Sequence, residues 1–196
     1  VCSSDLEVFL RLVATEQAAA LRHVFFAERE VAKVADLDGV AALPIATVGV
    51  VGAGTMGAGI AVAFADAGFA VTVVETSEEA LAKGRERIEG IWARAVKSGR
   101  LTEEGKAAKL AGLGFAADVA ALGAVDLVIE AVFDDLEVKR GLFERLSGVV
   151  RPDAIVATNT SYLDPDQLAP SLARPERLVG LHFFSPANVM RLVEVV

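Results

Sequence analysis

The segment ATVGVVGAGTMG, at positions 46–57, constrains the fold more than any other part of the chain. A short β-branched run of the fully buried kind leads straight into glycines at 52, 54 and 57, where a helical pattern begins. Each of Gly52, Gly54 and Gly57 answers a physical need: a tight turn, close approach of backbone to a ligand, and close packing of helix on strand. A strand that passes into a helix through such glycines is the first half of a parallel crossover unit. The rest of the chain keeps that rhythm. Strand FAVTVVE, a long polar helical pair from Ser77 to about Leu110, a brief LGFA strand and strand VDLVIEAV follow in turn. Helix DLEVKRGLFERLSGVV, strand AIVATN, a short helix near Pro165 to Leu172 and strand RLVGLHFF complete the series. Alternation at this spacing predicts an α/β fold, a doubly wound and mostly parallel sheet of Rossmann type with right-handed crossovers.

Ahead of this pattern the chain reads differently. From about Leu6 to Ala35 apolar residues recur at helical spacing (Leu10, Val13, Ala18, Leu21, Phe25, Phe26) without Gly or Pro, which predicts one long amphipathic helix. DLDGVAALP then reads as a loop, so residues 7–44 form a linker helix and loop, and 45–196 form the nucleotide-binding domain. The hexapeptide VCSSDL resembles the product of a read-through sequencing adapter, so residues 1–6 are set apart as an artefact. A length of 196 residues suits one domain with an appended element, able to bury roughly 70% of its unfolded surface. An apolar content of 54% with 6% aromatics favours a helix-covered sheet over a sandwich.

Charge and composition also exclude functions. A net charge of -8 argues against nucleic acid and anionic membrane as partners, since both require a basic face. The longest apolar stretch, around Ala41 to Gly54, is broken by Pro44 and glycines and falls short of a membrane span. Cys2 is the single cysteine, which fits a reducing, intracellular setting. Two histidines far apart and no cysteine cluster predict no metal site. His23, on the leading helix, reads as a surface residue.

A phosphate-bearing small ligand remains compatible, because backbone amides at a helix N-terminus can hold it without basic side chains. Glu75 ends the second strand, twenty-three residues after Gly52, where a carboxylate can bind the adenosine ribose hydroxyls. It would repel a 2′-phosphate, and no Arg follows immediately to accept one, so NAD is favoured over NADP. Near the other end, His182 is followed twelve positions later by Glu194 in LHFFSPANVMRLVEVV. Alone, His182 reads equally as a hydrogen-bonded core residue or as a base whose tautomer a carboxylate fixes.

Taken together, VGVVGAGTMGAGI, DLVIEAVFDDLEVK, ATNTS and LHFFSPANVMRLVEVV resemble, in order and spacing, the 3-hydroxyacyl-CoA dehydrogenases. The likeness runs from about Ala46 to Val196 and is strongest to the dehydrogenase portion of multifunctional fatty-acid β-oxidation enzymes, where a hydratase/isomerase portion precedes it. LRHVFFAEREVAKV is similar to the helix joining those portions. The resemblance implies an NAD-dependent oxidoreductase that converts L-3-hydroxyacyl-CoA to 3-ketoacyl-CoA. It implies His182 as general base, Glu194 as its carboxylate partner, Ser161 as a hydrogen-bonding group near the reacting oxygen, and Asn159 as an orienting residue. For the cofactor it implies Thr55 and Met56 in the pyrophosphate turn with the three glycines, and Val132, Phe133, Asp134 and Lys139 beside the nicotinamide ribose. Ser161 and Ser185 complete that set; Lys139 taken singly reads as a surface lysine.

Two positions depart from the family pattern. Asp134 stands where many members have Glu, and Ser185, in HFFSP, stands where many single-function members have Asn. HFFSP resembles the multifunctional subgroup. Arg94, Lys97 and Arg100 could meet CoA phosphates, though a solvated charged face is the simpler reading. The family's second, helical domain has no counterpart before Val196, so the resemblance implies a piece that binds NADH but turns over acyl-CoA poorly. A homodimer or β-oxidation complex is compatible, in the bacterial cytoplasm or, in a eukaryote, the peroxisome or mitochondrion. Two alternatives remain: a β-hydroxyacid dehydrogenase of the 6-phosphogluconate type, which shares GxGxMG, and a nucleotide-binding module inactive on its own.

Overall fold

A computed structural model describes residues 3–31 and 33–196. Val1 and Cys2, which open the hexapeptide set apart above, lie outside the described residues. Two compact units emerge, Val1–Leu43 and Pro44–Val196.

Among the described residues, the first unit holds two α-helices where one was expected: α1 (Ser3–Val13) and α2 (Glu16–Glu30). Thr15 makes the break. Its Oγ1 accepts from the Ala18 amide and donates to the Leu12 carbonyl, so one side chain caps the second helix and ties off the first. Phe9, Leu21, Phe25 and Phe26 are all at least half exposed.

In the second unit a seven-stranded sheet runs in the order β3-β2-β1-β4-β5-β6-β7. The strands are β1 (Thr47–Val51), β2 (Ala70–Val74), β3 (Leu113–Ala116), β4 (Leu127–Glu130), β5 (Ile155–Thr158), β6 (Leu178–Phe183) and β7 (Val193–Val195). All neighbours pair in parallel except β6 and β7. Four helices complete the unit: α3 (Thr55–Asp66), α4 (Glu78–Lys97), α5 (Glu103–Ala111) and α6 (Leu136–Ser147). The expected short helix near Pro165 resolves into separate 3-10 turns, Pro165–Gln167 and Ala169–Ser171. Pro165 and Pro170, each within the first two positions of its turn, remove backbone donors that a continuous helix would need and favour isolated turns.

Along β1, β4 and β5 both faces of the sheet are largely buried, which explains why these strands read as continuous apolar runs. One core packs Val48, Val50, Ile60, Ile88 and Trp92 together. The other packs Val128, Leu122, Phe143, Leu146 and Leu168. Trp92 is 1% exposed and its indole N–H donates to Asp66 at the end of α3, so its one polar atom is satisfied. Phe143 is fully buried, and truncating such a residue to Ala costs about 3–5 kcal/mol.

The start of the sheet is pinned by Asp126. Its Oδ2 accepts from the Ala46 amide, the Thr47 amide and the Thr47 hydroxyl, each at 2.8 Å, and Arg151 Nη2 lies 2.6 Å from Oδ1. The backbone amides of Ala46 and Thr47, then the Thr47 hydroxyl and Arg151, hold this carboxyl well below the usual carboxylate range.

Candidate functional site

The chain reverses its direction of travel across the sheet between β1 and β4, and a crevice opens outside the carboxyl ends of those two strands. In doubly wound sheets this is where ligands sit. The crevice has a volume of about 700 Å³ and is walled by Gly52 and Gly54 on one side, Glu75 and Thr76 on another, and Ala131, Val132 and Phe133 on a third. From α6, Glu137, Val138, Gly141 and Arg145 contribute to its rim. Sequence reasoning passed over these; they lie on one helical face, at spacings of three and four.

The glycines meet their roles in measurable ways. Gly52 has φ +95, and a Cβ there would stand 2.7 Å from the Ala131 carbonyl oxygen. At Gly57 a Cβ would collide with the carbonyl oxygen of Gly52, so helix and turn touch backbone to backbone. Around Gly54 there is open space within 4 Å of a built Cβ. That space lies at the N-terminus of α3, where first-turn amides lack carbonyl partners inside the helix and the dipole favours an anion. Glu75 Oε1 accepts from the Ala53 amide at 2.6 Å, and Oε2 from the Thr76 amide at 3.1 Å. Both bonds aim the carboxylate, which keeps lone pairs for a ribose diol. Glycine turn, helix terminus and oriented carboxylate thus suit a dinucleotide.

Other expected cofactor residues are distributed unevenly. Val132 and Phe133 line the crevice, and Phe133 is 80% exposed. Thr55 instead lines a separate groove between α3 and α4, with Lys83, Arg87 and Arg94. Met56 packs its side chain against the core. Ser185 is exposed and lines neither this crevice nor the pocket around His182. Lys139 departs from the surface-lysine reading. It is 1% exposed, with Nζ 2.6 Å from Glu130 Oε1 and 3.3 Å from Asp134 Oδ1. A lysine one turn into a helix reads as solvated; here the helix packs that turn onto a carboxylate. Glu130, which sequence reasoning missed, was signalled by its place as a charge inside an apolar strand run.

Across the sheet, the second half of the site rests on strand pairing. β6 and β7 are antiparallel and place His182 directly opposite Glu194, and directly opposed residues share a face with short Cβ separations. Nδ1 of His182 lies 2.8 Å from Glu194 Oε2, and Nε2 lies 3.0 Å from Ser161 Oγ. With Glu194 as an ionised acceptor, this network assigns the proton to Nδ1 and the lone pair to Nε2. Asn159, at the end of β5, accepts the Phe183 amide through Oδ1 at 2.8 Å and so ties β5 to β6 next to the histidine. Thr160 Oγ1 accepts from the Leu163 amide and holds the turn that carries Ser161. A pocket of about 250 Å³ collects Ser161, Tyr162, His182 and Glu194. Carboxylate, imidazole and hydroxyl thus form one hydrogen-bonded chain.

Comparison with known proteins gives a consistent picture. The family model "3-hydroxyacyl-CoA dehydrogenase, NAD binding domain" matches residues 47–196. The peroxisomal bifunctional enzyme of Cavia porcellus is 42% identical over 197 residues, covering 98% of this chain and 27% of that protein. A 3-hydroxybutyryl-CoA dehydrogenase of Mycobacterium tuberculosis is 46% identical over 153 residues, covering 78% of this chain and 54% of that one. Among solved structures, the dehydrogenase part of multifunctional enzyme 1 from C. elegans superimposes with a TM-score of 0.70 at 35% identity, over 79% of this chain and 35% of that one. The chain therefore spans about a quarter of the length of the bifunctional relative it matches.

Proposed function

This chain belongs to the 3-hydroxyacyl-CoA dehydrogenase family, whose NAD-binding domain it carries, and from that premise we propose that it houses the acid–base machinery for oxidising an L-3-hydroxyacyl-CoA to the 3-ketoacyl-CoA. The cofactor is NAD. The observation that carries the reading is the His182 imidazole held between Glu194 and Ser161, in the same sheet as a crevice suited to a dinucleotide.

When bound, NAD supplies the hydride acceptor at its nicotinamide ring. Nε2 of His182 takes the proton from the substrate's 3-hydroxyl as the C3–H bond gives up its hydride, leaving a C3 carbonyl. The Nδ1–H of His182 donates to Glu194 throughout, so the carboxylate stabilises the imidazolium as it forms. Ser161 Oγ, beside the same nitrogen, donates to the substrate oxygen and holds it in line with the base. Asn159 acts through the backbone of Phe183 and keeps β6 in place. In the crevice, the pyrophosphate is assigned to the first turn of α3 and the adenosine ribose to Glu75. Val132, Phe133, Asp134 and Lys139 are assigned to the nicotinamide side, with Ser185 and Ser161 beyond them.

A larger protein around this domain, with a hydratase portion before it and a helical domain after it, is part of the proposal; the chain covers 27% of the bifunctional relative. Fatty-acid β-oxidation is the proposed pathway, in bacterial cytoplasm, peroxisome or mitochondrion, with homodimer or multienzyme assembly as the proposed state. Family membership displaces the 6-phosphogluconate-type alternative.

The test is His182→Gln within the full reading frame. NADH affinity should stay within about twofold, while acetoacetyl-CoA reduction falls by roughly 10²- to 10⁴-fold. Retained turnover overturns the assignment. Ser161→Ala separates this chemistry from acyl transfer, for which the same three groups could serve. A dehydrogenase keeps measurable turnover without the hydroxyl, whereas a serine nucleophile is indispensable.

A further inference from the structure

We propose that Glu130 is a positioning residue of the cofactor site, holding from beneath the crevice both the Val132–Asp134 bend and the Lys139 ammonium. The inference rests on the reading of the crevice as the NAD site.

Glu130 is fully buried at the end of β4, a strand whose other three residues are apolar and buried. Its hydrogen bonds are directed at groups that form or support the crevice wall. Oε1 accepts from the Val132 amide at 2.8 Å and from Lys139 Nζ at 2.6 Å. Oε2 accepts from the Thr158 hydroxyl at 2.7 Å. One carboxylate thus joins the bend after β4, the end of β5 and the first turns of α6. Lys139 passes the constraint on to Asp134, 3.3 Å away.

Stability alone does not account for this pair. Burying a carboxylate and an ammonium carries a desolvation cost that their attraction offsets only partly, and apolar replacements of such pairs are often as stable. What the ion pair adds is geometry, because both oxygens are engaged and the bend above them cannot rotate freely. The location sets which part of the cofactor is affected. Glu75, just past the end of β2, lines the crevice and is assigned to the adenosine, whereas His182, on β6, lines its own pocket and is assigned to the reacting end. β4 lies between them in the sheet. The proposed cofactor reading sets the Val132–Asp134 bend beside the nicotinamide half.

The experiment compares ligands that report the two halves. Glu130→Asp keeps the charge facing Lys139 but shortens the reach by one methylene, so Val132, Thr158 and Lys139 cannot all be served at once. Binding of NADH and of ADP is measured by fluorescence titration, beside the melting temperature of the ligand-free chain. NADH should bind about tenfold more weakly, with ADP within about twofold and the melting temperature within about 5 °C. A merely structural residue would weaken both ligands in parallel; that result, or unchanged NADH binding, overturns the proposal. Should Glu130→Asp fail to fold, Thr158→Val releases only Oε2 and keeps the ion pair. A loss of about threefold confined to NADH then supports the proposal, and parallel loss or none overturns it. Wild-type chain that binds ADP but not NADH overturns this inference and the nicotinamide assignment together, whereas normal wild-type NADH binding with an unaffected variant overturns only the role of Glu130.

Discussion

The two halves of the site are built by different means. Around β1 and β4 the geometry comes from backbone contacts in the middle of the sheet, where Val48, Val50 and Ile129 are fully buried and glycines let chain touch chain. Around β6 and β7 it comes from side chains at the sheet's edge. β7 is three residues long and exposed throughout, and Glu194 keeps 53% of its side-chain surface. The central half is dictated by steric exclusion, so few sequences satisfy it. The edge half is a set of side-chain hydrogen bonds at exposed or half-buried positions. On the proposed reading, nucleotide binding and the reaction should therefore be separable by mutation.

The strongest challenge to that contrast is Gly57→Ala. The added Cβ cannot coexist with the Gly52 carbonyl, so the turn must open, at a cost of about 3 kcal/mol or more in stability. NADH binding should be lost with it, as read by thermal denaturation and titration. Near-normal affinity would mean that the central half tolerates backbone shifts, and the contrast would fail. Glu194→Gln probes the other half. It keeps the hydrogen bond but removes the charge opposing the imidazolium, and should lower turnover by about 10²-fold. NADH affinity and melting temperature should not move.

Glu75→Ala sharpens the comparison within the central half, because it removes the carboxylate proposed for the ribose, with its bond to the Ala53 amide, but adds no atom to the turn. An increase in the NADH dissociation constant of about tenfold is expected, with folding retained. The smallest effect belongs to Asp126→Asn, which touches neither half. Asp126 has a folded pKa below its unfolded value. Its contribution is thus complete above the ordinary Asp range, at about pH 4, and is lost as pH falls through the folded value. The variant should lose stability at neutral pH and show a shallower further decline in acid, measured by urea melts between neutral and acidic pH.

Much of the central half is legible in the sequence, because its requirements are local. GAGTMG states its conformation in three glycines, and Glu75 declares itself as an acid closing an apolar strand. His182 is ambiguous by itself, since pairing with Glu194 depends on a strand register that periodicity does not reveal. Lys139 is misread for a related reason. A single helical lysine carries no mark of burial until the strand beneath it is known. Glu130 is that mark, a carboxylate closing the strand that begins at Leu127 and is otherwise apolar. The break between α1 and α2 is hidden because Thr15 is tolerated within a helix and also caps one, and only local hydrogen bonding decides.

Side chains alternate faces along a strand, so a slip of β7 by a single residue against β6 would set Val193 or Val195 opposite His182 and turn Glu194 to the far side. Reciprocal backbone bonds between Gly180 and Val196, both 2.9 Å, hold the register just beyond. Alignment of this short ribbon thus works as a binary condition: in register, the imidazole has an anion behind it; one step out, it has a hydrocarbon.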